Sequence, residues 1–114
     1  MQIDFTVEAH DEPGTRILAV SGELSLSAAS ALENELNRAL ESGVALVVVD
    51  LKSVEFIDST GLSVLVRAHQ QAADTGIEFG IINAVSQVDR LLRLTGLTDR
   101  LTLANAEQRL DHGN

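Results

Sequence analysis

Val44-Ala45-Leu46-Val47-Val48-Val49-Asp50-Leu51 decides the fold, together with the Phe56-Ile57-Asp58-Ser59-Thr60-Gly61-Leu62-Ser63 segment just after it. The first run is apolar and broken only by Asp50. An uninterrupted apolar run of this length predicts a strand covered on both faces, which is the habit of a central parallel strand. Beyond Asp58 the period changes. Leu62, Leu65, Val66, His69, Ala72 and Ala73 recur at helical spacing, and Gly76 follows. The spacing predicts a helix from about Ser59 to Thr75 with those residues on its inner face. Phe56 and Ile57 read as anchors holding down the intervening loop.

Upstream, Ile3, Phe5 and Val7 alternate with Asp4, Thr6 and Glu8, the period of a half-buried strand. His10 to Thr15 contains Pro13-Gly14, which suits a type II turn because Pro sets φ and Gly accepts positive φ. Ile17 to Val20 reads as a second strand ending at Gly22, paired antiparallel with the first. Ser27 to Glu41 reads as a helix with an apolar stripe of Ala29, Leu32, Leu36, Ala39 and Leu40, closed by Gly43.

Downstream, Ile77 to Ile82 is a strand and Ser86 to Thr95 a helix. Ser86 and Asp89 have the offset of a capping box, and Gly96-Leu97 form a Schellman-type exit. Leu101 to Leu103 is a short strand, and Ala104 to Leu110 a last short helix before a polar tail. The order β-β-α-β-α-β-α-β-α predicts an α/β, mostly parallel sheet opened by an antiparallel pair. Periodicity alone does not decide whether the helices cover one face or both.

The 114 residues make one domain. With 45% hydrophobic residues and a single proline, the composition is globular. There is no cysteine, which excludes disulfides, thiolate metal sites and a cysteine nucleophile. The net charge is −9, from 17 acidic against 8 basic residues. That balance opposes nucleic acid, whose phosphates require Lys and Arg, and opposes an anionic membrane surface. Three phenylalanines give no platform for stacking bases. The longest purely apolar run, Val44 to Val49, is far short of the ~20 residues of a spanning helix. No basic segment leading into a long apolar one opens the chain, so a signal peptide is not expected and the expected location is cytoplasmic.

The chemistry concentrates at Asp58-Ser59-Thr60-Gly61-Leu62-Ser63. Two adjacent hydroxyls fall at a helix N-terminus, where free N–H groups and the positive dipole end favour an oxyanion. Gly61 would let another protein approach closely, and Ser63 shares a helical face with Ser59. The residues alone leave two readings open: an ordinary N-cap, or a functional hydroxyl.

Gly22-Glu23-Leu24, Val47-Val48-Val49-Asp50-Leu51, Phe56-Ile57-Asp58-Ser59-Thr60-Gly61-Leu62, Arg90-Leu91-Leu92 and Thr95-Gly96-Leu97 together resemble the STAS domain of anti-sigma factor antagonists. The resemblance runs from about residue 3 to 105. It implies a four- or five-stranded sheet with helices mainly on one side. It implies that the serine after the aspartate, Ser59, is phosphorylated by an anti-sigma factor that is itself a serine kinase, with Thr60 as the second candidate. A metal-dependent serine phosphatase would reverse the modification. The expected contact surface comprises Gly22, Glu23, Leu24, Ser25, Asp58, Ser59, Thr60, Gly61, Leu62 and Ser63. No catalysis, cofactor or metal is expected. Two positions depart from the family pattern: Ser25 stands where Asp is usual, and Ser63 where a second Gly is frequent. The alternative within the fold is a STAS domain serving as a non-catalytic scaffold, in a transporter or a stressosome-like assembly.

Other chemistries fit worse. Asp50 at the end of a buried strand suits a receiver phosphoacceptor, but the acidic pair and late lysine that hold Mg²⁺ and phosphate are missing. The sole lysine is Lys52, and Asp11-Glu12 falls in a turn. A serine hydrolase needs a base, yet His69 lies about 15 Å along the helix from Ser59, and His10 and His112 are in a turn and the tail. No two histidines share a metal-ligand spacing, and no Gly-x-x-x-x-Gly-Lys phosphate loop occurs.

Overall fold

The computed structural model describes residues 5–94. Expectations for Ile3, for Thr95-Gly96-Leu97, for a strand over 101–103, for a helix over 104–110 and for His112 lie outside them. The described elements are β1 (Phe5–Glu12), β2 (Thr15–Leu24), α1 (Leu26–Leu40), β3 (Leu46–Ile57), α2 (Ser59–Thr75), β4 (Glu78–Ile82) and α3 (Ser86–Leu94). They form an α/β unit whose sheet runs in the order β1-β2-β3-β4. β1 and β2 are antiparallel, whereas β2-β3 and β3-β4 are parallel.

The opening hairpin turns at Pro13-Gly14 with no residue to spare, because Glu12 already pairs with Thr15. Gly14 takes φ +71°, the positive value this turn requires. Both strands are longer than their alternating segments. His10 is therefore not in a turn but in β1, opposite Ile17.

All three helices lie over one face of the sheet. Leu32 and Leu36 of α1, Val64 and Leu65 of α2, and Val88 and Leu92 of α3 share one apolar cluster with Leu18, Val20, Val47, Val49 and Leu51. Leu46, Val48 and Ile82, with Ile17, form a small second cluster. Leu46 and Val48 alternate with Val47 and Val49, so this cluster is on the opposite face. β3 is thus buried on both sides, as its apolar run predicted. The stripe of α1 is buried as expected, and Ala28 joins it.

Further expectations are corrected. β3 does not stop at Leu51 but continues to Ile57. Its register against β2 slips twice, between Ala19 and Ser21 and between Gly22 and Glu23, each time placing an extra residue on β3. After Leu51 the buried residues are therefore Val54 and Ile57, three apart, and simple alternation fails. Phe56 is consequently no anchor, being 49% exposed, while Ile57 is 3% exposed.

The inner face of α2 is Gly61, Val64, Leu65, Ala68 and Ala72, not the row through Leu62, Val66, His69 and Ala73. Leu65 and Ala72 are common to both. Leu62 and Val66 pack at the margin of the core instead. His69 is half-buried and sets its ring edge-on to Phe79, with centroids 6.1 Å apart. Finally, Asp89 is not part of a capping box with Ser86. Its N–H donates to the Val85 carbonyl at 2.8 Å, and its carboxylate accepts from Arg93 at 2.8 Å.

Candidate functional site

Leu24 ends β2 and Ile57 ends β3, and the two residues are register partners. The chain therefore leaves both strands at one rim, and α1 and α2 start side by side there. This is the carboxyl-end rim where open α/β sheets present their sites. Asp58 holds the corner. Its N–H donates to the Leu24 carbonyl at 3.1 Å. Its backbone is extended at φ −105°, as an N-cap requires, and one carboxylate oxygen accepts from the Gly61 N–H at 2.9 Å. The other oxygen accepts from the N–H of Leu26 at 3.2 Å. Leu26 is the first residue of α1, so a single carboxylate serves the N-termini of two helices. Both ends carry positive partial charge, and the anion suits both.

Gly61 has a different reason from the one its sequence context offered. A Cβ on it would lie 2.3 Å from the Leu24 carbonyl oxygen. The glycine thus lets α2 sit directly on the end of β2, rather than letting another protein approach. Gly61 and Leu24 are both buried, so they shape the rim from inside. Leu62 is half-buried against the core margin.

Ser59 is the exposed first residue of α2, with Thr60 half-buried beside it. Their amides precede any intrahelical acceptor. Ser63 is exposed one turn on, and its hydroxyl donates to the Ser59 carbonyl at 2.9 Å. Ser25 is the N-cap of α1 by backbone geometry, yet its side chain makes no capping bond. Its Oγ is 3.3 Å from that of Ser27. Glu23 is exposed at the end of β2, and Gly22 takes φ +101° at the register slip.

The rim therefore brings Ser25 together with Asp58, Ser59 and Thr60. It also holds a residue the sequence reading missed, Leu26, which is 74% exposed. Leu26 stands three residues before Ala29 and so continues the apolar stripe of α1, but at the first helical position it is left exposed.

The rival chemistries gain nothing from the structure. Asp50 lies within β3, not at its end, and its carboxylate accepts from the Lys52 N–H and the Asn83 amide. Among the described residues no three His, Asp or Glu side chains cluster as metal ligands. A cavity of about 300 Å³ is lined by Thr6, Glu8, Ser21, Asp50, Lys52 and neighbouring residues, none from the Ser59 rim. No described helix is long and apolar enough to cross a membrane.

Comparison with known proteins gives a consistent result. A family profile described as the STAS domain matches residues 6–110. The anti-sigma-F factor antagonist RsfB of Mycobacterium tuberculosis is 32% identical over 93 residues, covering 82% of this chain and 75% of that one. The crystal structure of an anti-sigma factor antagonist from Mycobacterium paratuberculosis superposes with a TM-score of 0.77 at 30% identity, over 87% of this chain and 84% of that one. The Bacillus cell-fate determinant SpoIIAA, solved in its phosphorylated form, superposes with a TM-score of 0.73 over 96% of this chain and 99% of that one. At 17% identity it shares the fold alone.

Proposed function

This chain belongs to the STAS domain family, and we propose that it works there as an anti-sigma factor antagonist in a partner switch controlled at Ser59. In its unmodified form it binds an anti-sigma factor through the rim of Ser25, Leu26, Ser59, Thr60 and Ser63, and so frees the sigma factor. The anti-sigma factor, a serine kinase, phosphorylates Ser59, and a serine phosphatase restores the binding form. The domain itself is regulatory and performs no reaction.

The observation that carries this reading is the position of Ser59: exposed, first in α2, and beside the start of α1. A phosphate there adds about −1.5 to −2 charges. The open amides and dipole of α2 accommodate that charge, while Asp58 opposes it, so the fold changes little. A partner surface shaped around a neutral hydroxyl instead meets an unpaired dianion. The expected loss on binding is about 3 kcal/mol or more, over a hundredfold in affinity.

The test is titration of an anti-sigma factor with the wild type, Ser59→Asp and Ser59→Ala, alongside mass mapping of phosphate after incubation with that factor and ATP. Ser59→Asp should bind weakly, Ser59→Ala should bind and resist modification, and Thr60→Ala should remain phosphorylatable. Equal affinity of Ser59→Asp and wild type, with no phosphate on Ser59, would remove the switch.

A further inference from the structure

We infer that Asp58 is a positioning residue: it holds Leu26 beside Ser59, and the partner is touched by the Leu26 side chain rather than by the carboxylate. The inference rests on the reading of this rim as the anti-sigma contact. Both Asp58 oxygens already accept bonds inside the molecule, from the Gly61 and Leu26 amides at 2.9 and 3.2 Å. The second bond joins residues 32 apart in sequence. Ser25, in the N-cap position of α1, makes no side-chain capping bond. The cap of α1 is thus supplied from the phosphoacceptor loop, and the start of α1 is tied to it.

Leu26 is the element this tie places. Its amide is the donor, and its side chain is 74% exposed while the other leucines of α1, at 32, 36 and 40, are buried. Leu26 is tied to the residue that precedes Ser59, and its exposed apolar side chain gives a partner surface to bury when Ser59 is neutral. The commitment is to an anti-sigma factor with a complementary apolar recess, because Leu26 is anchored to Asp58, the residue directly before the serine that factor modifies under this reading.

Asp58→Asn separates the tie from the local cap. Asn caps a helix about as well as Asp, so α2 keeps its N-cap. A single amide oxygen replaces two carboxylate oxygens, and the amide NH2 cannot accept from the second N–H. In the free protein, amide exchange at Leu26 should rise about tenfold, as expected for losing a bond to a charged acceptor, with Gly61 little changed.

Affinity for the anti-sigma factor should fall about tenfold in Asp58→Asn and in Leu26→Ala alike. In the Leu26→Ala background, Asp58→Asn should cost almost nothing further, since the placed group is already gone. Unchanged exchange at Leu26 in Asp58→Asn overturns the tie. Additive losses in the double variant overturn the positioning role and make Asp58 a direct contact. If the wild type binds no anti-sigma factor, the functional reading fails and the partner-positioning role with it. The exchange result then still reports on the tie.

Discussion

At the scale of single residues, the rim depends on Gly61 as much as on any hydroxyl. The Leu24 carbonyl accepts from the Asp58 N–H and faces the missing Cβ of Gly61 at 2.3 Å. Even one methyl group must push α2 off β2 or displace buried Leu24, and backbone on one side of the clash cannot rotate away. Gly61→Ala should destabilise the domain by about 3 kcal/mol, an overpacking cost on top of a disturbed hydrogen bond. Denaturant melts of the purified variant check this, and a midpoint equal to wild type would show that α2 can shift freely. The same crowding explains why a motif glycine read as an approach for a partner turned out to be a seat for the molecule's own helix.

At the scale of elements, the β1-β2 hairpin carries a clear electrostatic perturbation. Asp11 and Arg16 face each other across the strands. They make two bonds, at 2.7 and 3.0 Å. The hydrogen bond from Arg16 holds the Asp11 carboxyl below its ordinary value of 3.8; desolvation opposes it, and the charges of Arg16 and His10 add lesser lowering effects. The folded form therefore binds this proton less tightly than the unfolded form does. The pair supports folding above the ordinary value, and that support is lost as pH falls through the lower folded value. Because both groups meet solvent, the effect on overall stability is small. The expected outcome is that Arg16→Ala moves the Asp11 midpoint up toward 3.8, read by NMR titration of its side-chain carbon. No movement would mean the bond is not formed in solution.

At the scale of the whole molecule, placing every described helix on one face leaves the chain with two distinct rims. One joins the starts of α1 and α2; the other holds Gly43 and Gly76, where the chain returns to β3 and β4. Adding an unlabelled anti-sigma factor to labelled protein should shift the amides of Ser25, Leu26, Ser59, Thr60 and Ser63 and leave those near Gly43 and Gly76 in place. Shifts confined to the second rim would move the partner to the other end of the molecule. With a net charge of −9, association should also weaken in salt if the partner presents a basic rim.

Local features were legible in the sequence. The Pro13-Gly14 turn, the stripe of α1, the start of α2 just after Asp58 and the two-sided burial of β3 each follow from a short-range rule, in which neighbours along the chain set backbone angles or periodicity. Ser59 as the first residue of α2 followed from the same reasoning. What the tertiary structure alone decided depends on pairing between distant segments. The two register slips arise only where β3 meets β2, so the exposure of Phe56 was invisible to alternation. The inner face of α2 was misjudged by a rotation of about one residue, because Leu62 and Val66 are as apolar as Val64 and Leu65, and only the sheet and α1 choose between them. The second bond of Asp58 and the close seat of Gly61 both require β2, α1 and α2 to meet at one corner. That meeting is set by packing across the core, which no local pattern encodes.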